Sequence, residues 1–266
     1  MKIFDTHAHY TADAFDADRA ELLAALPARG IVGVVDCGTD LSTSLASLAL
    51  ARQHDWFYTA AGIHPESLTD ENASTLTRFG GDWQAEMAAI APLYDDARVV
   101  AVGECGLDYH WPIPKDTQLA LFEAELRLAC EHDLPIIVHD REAHADTYAL
   151  LKKYRPRGVV HCYSGSAEDV RWLTAQGLHI GFGGVVTFKN ARRALAAAAA
   201  VPPELLLLET DCPYMAPVPH RGERNDSSLL PAVAETLAAL RGTDAETLAR
   251  QTCENACRLF GVRLPR

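Results

Sequence analysis

The chain has 266 residues, with 24 Lys and Arg against 36 Asp and Glu and a formal net charge of −12. A content of 48% hydrophobic and 23% charged residues is that of a folded globular protein and excludes a disordered chain. The acidic balance excludes a broad electrostatic grip on DNA or RNA, which needs Lys and Arg to neutralise phosphates. Any nucleic-acid site must therefore be locally positive.

Short apolar, β-branched runs alternate with helical stretches, the pattern of parallel βα units. The first strand is predicted at 2–5, followed by a helix over 16–29, a strand at 31–36, a helix over 41–53 and a strand at 57–63. The stretch 65–98 has room for two helices before a strand at 99–102 and a helix over 117–133. Strands at 136–138, 158–160, 179–182 and 205–208 follow, with helices over 144–154 and 167–176, and two final helices over 229–240 and 244–260. Eight such strands predict an α/β fold, a single (β/α)8 TIM barrel with an extra C-terminal helix, and one domain over 1–266. No glycine-rich phosphate fingerprint follows the first strand, which weakens a dinucleotide-binding alternative. The N-terminus does not read as a secretory signal, and the longest apolar run, 194–203, is half what a bilayer requires. Seven cysteines without a CxxC motif read as reduced thiols, so a cytoplasmic protein with no membrane association is expected. Cys253 and Cys257 read as a buried helical stripe, and the Trp residues as core or helix surface.

In this architecture the active site is assembled at the C-terminal ends of the strands. There the chain carries Thr6-His7-Ala8-His9, His64-Pro65-Glu66, Gly103-Glu104, His139-Asp140-Arg141, His161 and Glu209-Thr210-Asp211. In an extended segment residues i and i+2 face the same way, so His7 and His9 can bind one ion together. His7, His9, Glu104, His139, His161 and Asp211 offer imidazoles and carboxylates suited to a borderline divalent ion, either Zn, Mn or Ni. Six donors exceed the needs of one tetrahedral ion and suggest two divalent metal ions with Glu104 as the bridge. His54 and His132 sit at helix C-termini, where they complement the dipole, and His179 begins a strand at the opposite mouth. Cys105, Cys162 and Cys212 each follow a proposed ligand and are expected to face away as packing residues.

The motifs DTHAH at 5–9, GIHP at 62–65, VGECGLDYH at 102–110, LPIIVHDR at 134–141, VVHCYSG at 159–165, GFGG at 181–184, ETDCPYMAP at 209–217 and RGERND at 221–226 span nearly the whole chain. Together they resemble the TatD family of metal-dependent deoxyribonucleases, within the amidohydrolase-like hydrolases. The resemblance implies a TIM barrel, the same six ligand positions, and hydrolysis of phosphodiester bonds at DNA ends or in short single strands. The family often reads HPH where this chain has His64-Pro65-Glu66, which bears on the substrate-side role expected of His64. Glu104 and Asp211 are the expected catalytic residues, Asp211 as ligand and general base, with Mg added to the possible ions. Ions in the mouth make it positive on an acidic body, which answers the charge objection. His220, Arg221, Arg224 and Asn225 follow the last strand, where barrels commonly bind phosphate. The alternative is a surface loop whose arginines pair with Glu223 and Asp226. Arg141 is a further substrate candidate, and Gln118 matches a family position without an assigned step. The expected partner is single-stranded DNA, a DNA end or a small phosphodiester, with no obligate protein partner. The alternative readings are a metal-dependent amidohydrolase or esterase, a small-phosphoester hydrolase, and a non-catalytic metal-binding scaffold.

Overall fold

The computed structural model describes residues 1–264. In chain order the elements are β1 (Ile3–Ala8), α1 (Arg19–Ala25), β2 (Ile31–Cys37), α2 (Leu41–Ala51), β3 (Phe57–Ala61), α3 (Ser74–Thr77), α4 (Trp83–Ile90), β4 (Val99–Asp108), α5 (Lys115–Glu131), β5 (Ile136–Arg141) and α6 (His144–Tyr154). They continue with β6 (Gly158–Val160), α7 (Ala167–Ala175), β7 (His179–Phe182), α8 (Arg192–Ala200), β8 (Leu206–Leu208), α9 (Leu230–Arg241) and α10 (Ala245–Phe260). The strands follow one another in sheet order from β1 to β8, the (β/α)8 arrangement. By compactness the chain divides into two units, one of Met1–Asp36 with His161–Arg266 and one of Cys37–Val160.

In the first unit all six residues of β1 are buried, and the strand pairs in parallel with β2. Asp5 ties the end of β1 to the loop after β8. Its carboxylate accepts from the Thr210 N–H at 3.0 Å, the Thr210 hydroxyl at 2.7 Å and the Ser227 hydroxyl at 2.6 Å. The backbone continues the link, with Asp211 N–H donating to His7 O at 2.9 Å and His9 N–H to Cys212 O at 2.8 Å. Helix α10 buries Leu248, Thr252, Cys253, Ala256, Leu259 and Phe260 on one stripe, with Phe260 stacked on Phe4 at 6.2 Å. Cys253 therefore lies on the buried stripe expected of it, whereas Cys257 is only half-buried, and all seven cysteines are free thiols.

In the second unit β3, β4, β5 and β6 pair in parallel, covered by α5 through Leu121, Phe122 and Leu126. Strand β4 runs six residues beyond the expected end at 102. Gly103-Glu104-Cys105-Gly106 is not a strand former by composition, yet Cys105 to Asp108 pair in register with Val138 to Arg141. Gly106 makes this possible. It sits at φ +143°, and a Cβ there would lie 2.0 Å from the carbonyl oxygen of His139. The Gln118 side chain then clamps the strand end, accepting from Asp108 N–H and donating to Asp108 O, both at 2.8 Å. Buried Glu125 accepts from Ile63 N–H at 2.8 Å, which fixes the chain just before His64.

The helix expected over 16–29 is shorter. Helix α1 ends at Ala25, Pro27 opens a short 3-10 turn, and Gly30 at φ +89° closes it. The stretch 65–98 does hold two helices, α3 and α4. The Trp expectation fails at Trp111, which lies in the loop after β4 with 46% of its surface exposed.

Candidate metal centre

In the first unit, His7 on β1 and His9 just beyond it bring their Nε2 atoms to 3.1 Å. Asp211 Oδ1 stands 3.4 Å from His9 Nε2 and 3.8 Å from His7 Nε2. Asp211 reaches this position at φ +57°, a conformation Asp tolerates better than most residues. The His161 ring stacks on His7 with centroids 3.8 Å apart and planes 7° from parallel. Burial works against ionisation of Asp211, yet the hydrogen bond to His9 and the fields of His7 and His161 outweigh it and hold the carboxyl below its usual range. Behind His161 lies Glu209, which accepts from the Cys162 N–H and is pushed up to about 8, chiefly by burial.

In the second unit, His64 follows β3, Glu104 and Asp108 lie on β4, and His139 lies on β5. Glu104 Oε1 is 3.0 Å from His139 Nδ1 and 3.6 Å from His64 Nε2. The other nitrogen of His139 faces Asp108 Oδ2 at 3.0 Å. Burial would lower the His139 pKa, but its bonds to Asp108 and Glu104 carry it up to about 10. A histidine gripped by a carboxylate on its far nitrogen is the arrangement that orients a metal ligand and raises its basicity.

His7, His9 and Asp211 present one ligand atom each, all within 4.8 Å of one another, and so do His64, Glu104 and His139. Each set offers two imidazoles and one carboxylate, a donor chemistry that fits a borderline divalent cation.

The remaining expected residues fall into two groups. Arg141 at the end of β5 and Arg221 are exposed, Arg141 over the Trp111 ring at 5.7 Å and Arg221 over Phe188 at 4.5 Å. Arg224 and Asn225 are engaged internally. Arg224 grips both oxygens of Asp18, at 2.7 and 2.6 Å, and buried Asn225 donates to Thr210 O at 3.0 Å and Tyr214 O at 2.7 Å. His220 pairs with Glu223 at 2.9 Å. The nearby partner expected of Arg224 is thus replaced by Asp18 from a distant segment. Cys105 and Cys212 are buried as expected, whereas Cys162 turns at φ +42°, is partly exposed, and places its sulfur 3.7 Å from that of Met215. Asp108 and Glu209 were not among the expected site residues. Each stands at a strand end beside a proposed ligand, the one signal that could have found them.

This fold, with paired His and carboxylate clusters at its strand ends, defines a metal-dependent hydrolase of the TIM-barrel class. The sequence profile of TatD related DNases matches residues 4–261, and the chain belongs to that family. It is 38% identical over 264 residues to a protein of Bacillus subtilis named uncharacterized metal-dependent hydrolase YabD, covering 98% of this chain and 99% of that one. It is 37% identical over 272 residues to the 3'-5' ssDNA/RNA exonuclease TatD of Cronobacter sakazakii, covering 97% of both. The solved structure of YJJV, a TatD homolog of Escherichia coli, superposes with a TM-score of 0.88 at 30% identity, over 98% of each chain.

Proposed function

We propose that the chain removes nucleotides from the 3′ end of single-stranded DNA, hydrolysing phosphodiester bonds with two divalent ions. The relatives named as 3'-5' ssDNA/RNA exonucleases support the substrate and the polarity. The observation that carries the reading is the pair of ligand clusters, each with two imidazoles and one carboxylate. His7, His9 and Asp211, with His161 beside them, would hold one ion; His64, Glu104 and His139 would hold the other. Zn, Mn, Ni and Mg all suit such sites. When bound, the ions polarise a phosphoryl oxygen and lower the pKa of water.

The protein's own residues supply the rest. Asp211, ionised despite its burial, takes the proton of the attacking water at a carboxylate oxygen. The water oxygen bonds to phosphorus as the bond to the ester oxygen breaks, and the proton held by Asp211 passes to that leaving oxygen, a net addition of water. Asp108 holds the far nitrogen of His139, so its ring needs no reorientation to face Glu104. Arg141, Arg221 and His220 bind substrate phosphates, while Arg224 and Asn225 hold the loop that carries two of them. The seven free thiols fit a reducing cytoplasm, and the enzyme works there as one domain with no obligate protein partner. Among the described residues no helix is long and apolar enough to cross a membrane.

The test is cleavage of a 5′-labelled single-stranded oligodeoxynucleotide with added Mg, Mn, Zn or Ni, with and without chelator. The expected result is a ladder shortening from the 3′ end that chelator abolishes. Absence of cleavage with every ion overturns the proposal.

A further inference from the structure

Trp111 is the one large aromatic that the second unit leaves open at the ligand-bearing ends of its strands. It lies three residues beyond Asp108, in the loop that leaves β4, and 46% of its surface is exposed. The ring is nevertheless held in place. The His110 ring meets it edge-on, with centroids 4.9 Å apart and planes at 82°. The Ile113 N–H donates to Trp111 O at 2.8 Å and tightens the turn. Beside the ring stands the exposed guanidinium of Arg141, its Cζ 5.7 Å from the ring centroid. Arg141 is two residues from His139 on β5, about 7 Å along the strand and on the same face.

An oriented, solvent-open indole beside a cation, one strand step from a cluster of ligands, has the features of a single-strand reader. The ring offers a face on which any base stacks, and the guanidinium offers charge to the adjoining phosphate. A core Trp would not be left exposed, and a ring free to rotate would lose more entropy on binding. We infer that Trp111 and Arg141 form a nucleobase subsite, in which one base of a single-stranded nucleic acid stacks on Trp111 while Arg141 binds the neighbouring phosphate. This rests on the nuclease reading above and adds to it a means of preferring strands whose bases are free to unstack.

The experiment uses metal-loaded full-length protein and a set of single-stranded oligodeoxynucleotides, each with one abasic residue at a successive position from the 3′ end. Wild-type protein should show raised KM for an abasic residue at one position and ordinary KM elsewhere. Trp111→Ala should raise KM for the intact strand about tenfold, within the range base stacking supplies, and lose the positional effect. Its kcat should stay within twofold of wild type. Trp111→Phe should keep most of the effect, and Arg141→Ala should reduce the slope of log KM against log salt by about 0.7. If Trp111→Ala matches wild type in KM and in the abasic pattern, the subsite is wrong and the nuclease reading stands. If the wild-type protein cleaves no strand in the set, both fall together.

Discussion

His7 and His9 face each other with Nε2 atoms 3.1 Å apart, and Asp211 Oδ1 stands 3.4 Å from the second of them. Two residues apart on extended backbone, they share a face by necessity. Two neutral imidazoles so placed share a single proton between two lone pairs, whereas a cation takes both. Removing metal should therefore cost stability as well as activity. A chelator-treated, dialysed sample should melt at lower temperature than the metal-loaded protein and recover on adding the ion. An ion at 100 times its Kd contributes about 2.7 kcal/mol. Calorimetry showing one melting temperature for both forms would count against ion binding to the folded state.

Asp211 and Glu104 should matter to turnover far more than to folding. Asp211→Asn keeps the shape and removes the proton acceptor, so kcat should fall roughly 10²–10⁴-fold. Asp108→Asn leaves every proposed ligand in place and weakens only the grip on His139. It should cost roughly 10–100-fold in metal affinity or activity. Titrating apo protein with Mn or Zn, followed by assay, separates the two effects; wild-type affinity and turnover in Asp108→Asn would remove Asp108 from the site.

The loop after β8 should divide by function. Asn225→Ala leaves the carbonyls of Thr210 and Tyr214 without their donor, a loss of about 1–3 kcal/mol in urea unfolding. Arg221→Ala removes an exposed side chain and should leave the unfolding midpoint unchanged while raising KM for oligonucleotide. The opposite pattern would make Arg221 structural and Asn225 a substrate contact.

Asp40 caps α2 within a capping box, and its stability contribution should depend on pH. Burial raises its carboxyl, but the hydroxyl and N–H of Thr43, the N–H of Ser74 and the hydroxyl of Ser42 outweigh this and hold it below the usual aspartate range. A carboxyl lowered by folding stabilises the fold above its unfolded pKa, and that contribution disappears as pH falls through the folded value. Asp40→Ala should cost about 1 kcal/mol at neutral pH. The gap between the two proteins should narrow below about pH 4, and urea titrations showing the same gap at pH 7 and pH 3 would disprove the linkage.

The strand positions were legible because their apolar runs are short and bounded, and the strand ends marked His7, His9, Glu104, His139, His161 and Asp211. The continuation of β4 was not legible. Glycines and a carboxylate interrupt its apolar run, and only pairing with β5 makes Gly103 to Asp108 a strand. His64 was read as a substrate residue, yet its ring lies 4.4 Å from that of His139, beside Glu104. Sequence spacing cannot show which strand ends face one another so closely. The charged loop at 220–226 looked like a phosphate grip, but the partner of Arg224 is Asp18, 206 residues away. Trp111 was hidden by averages: tryptophan is usually buried, and nothing local reports that this one is open.

If the two His-carboxylate clusters drive metal-dependent removal of nucleotides from single strands, loss of the Asp211 carboxylate must slow it. The most direct measurement is the rate of 3′-end shortening of a labelled single-stranded oligodeoxynucleotide by Mn- or Mg-loaded wild-type and Asp211→Asn proteins, side by side. Rapid metal-dependent shortening by the wild type, with the variant slower by at least about 10²-fold, is the predicted result. Equal rates for the two proteins would contradict it.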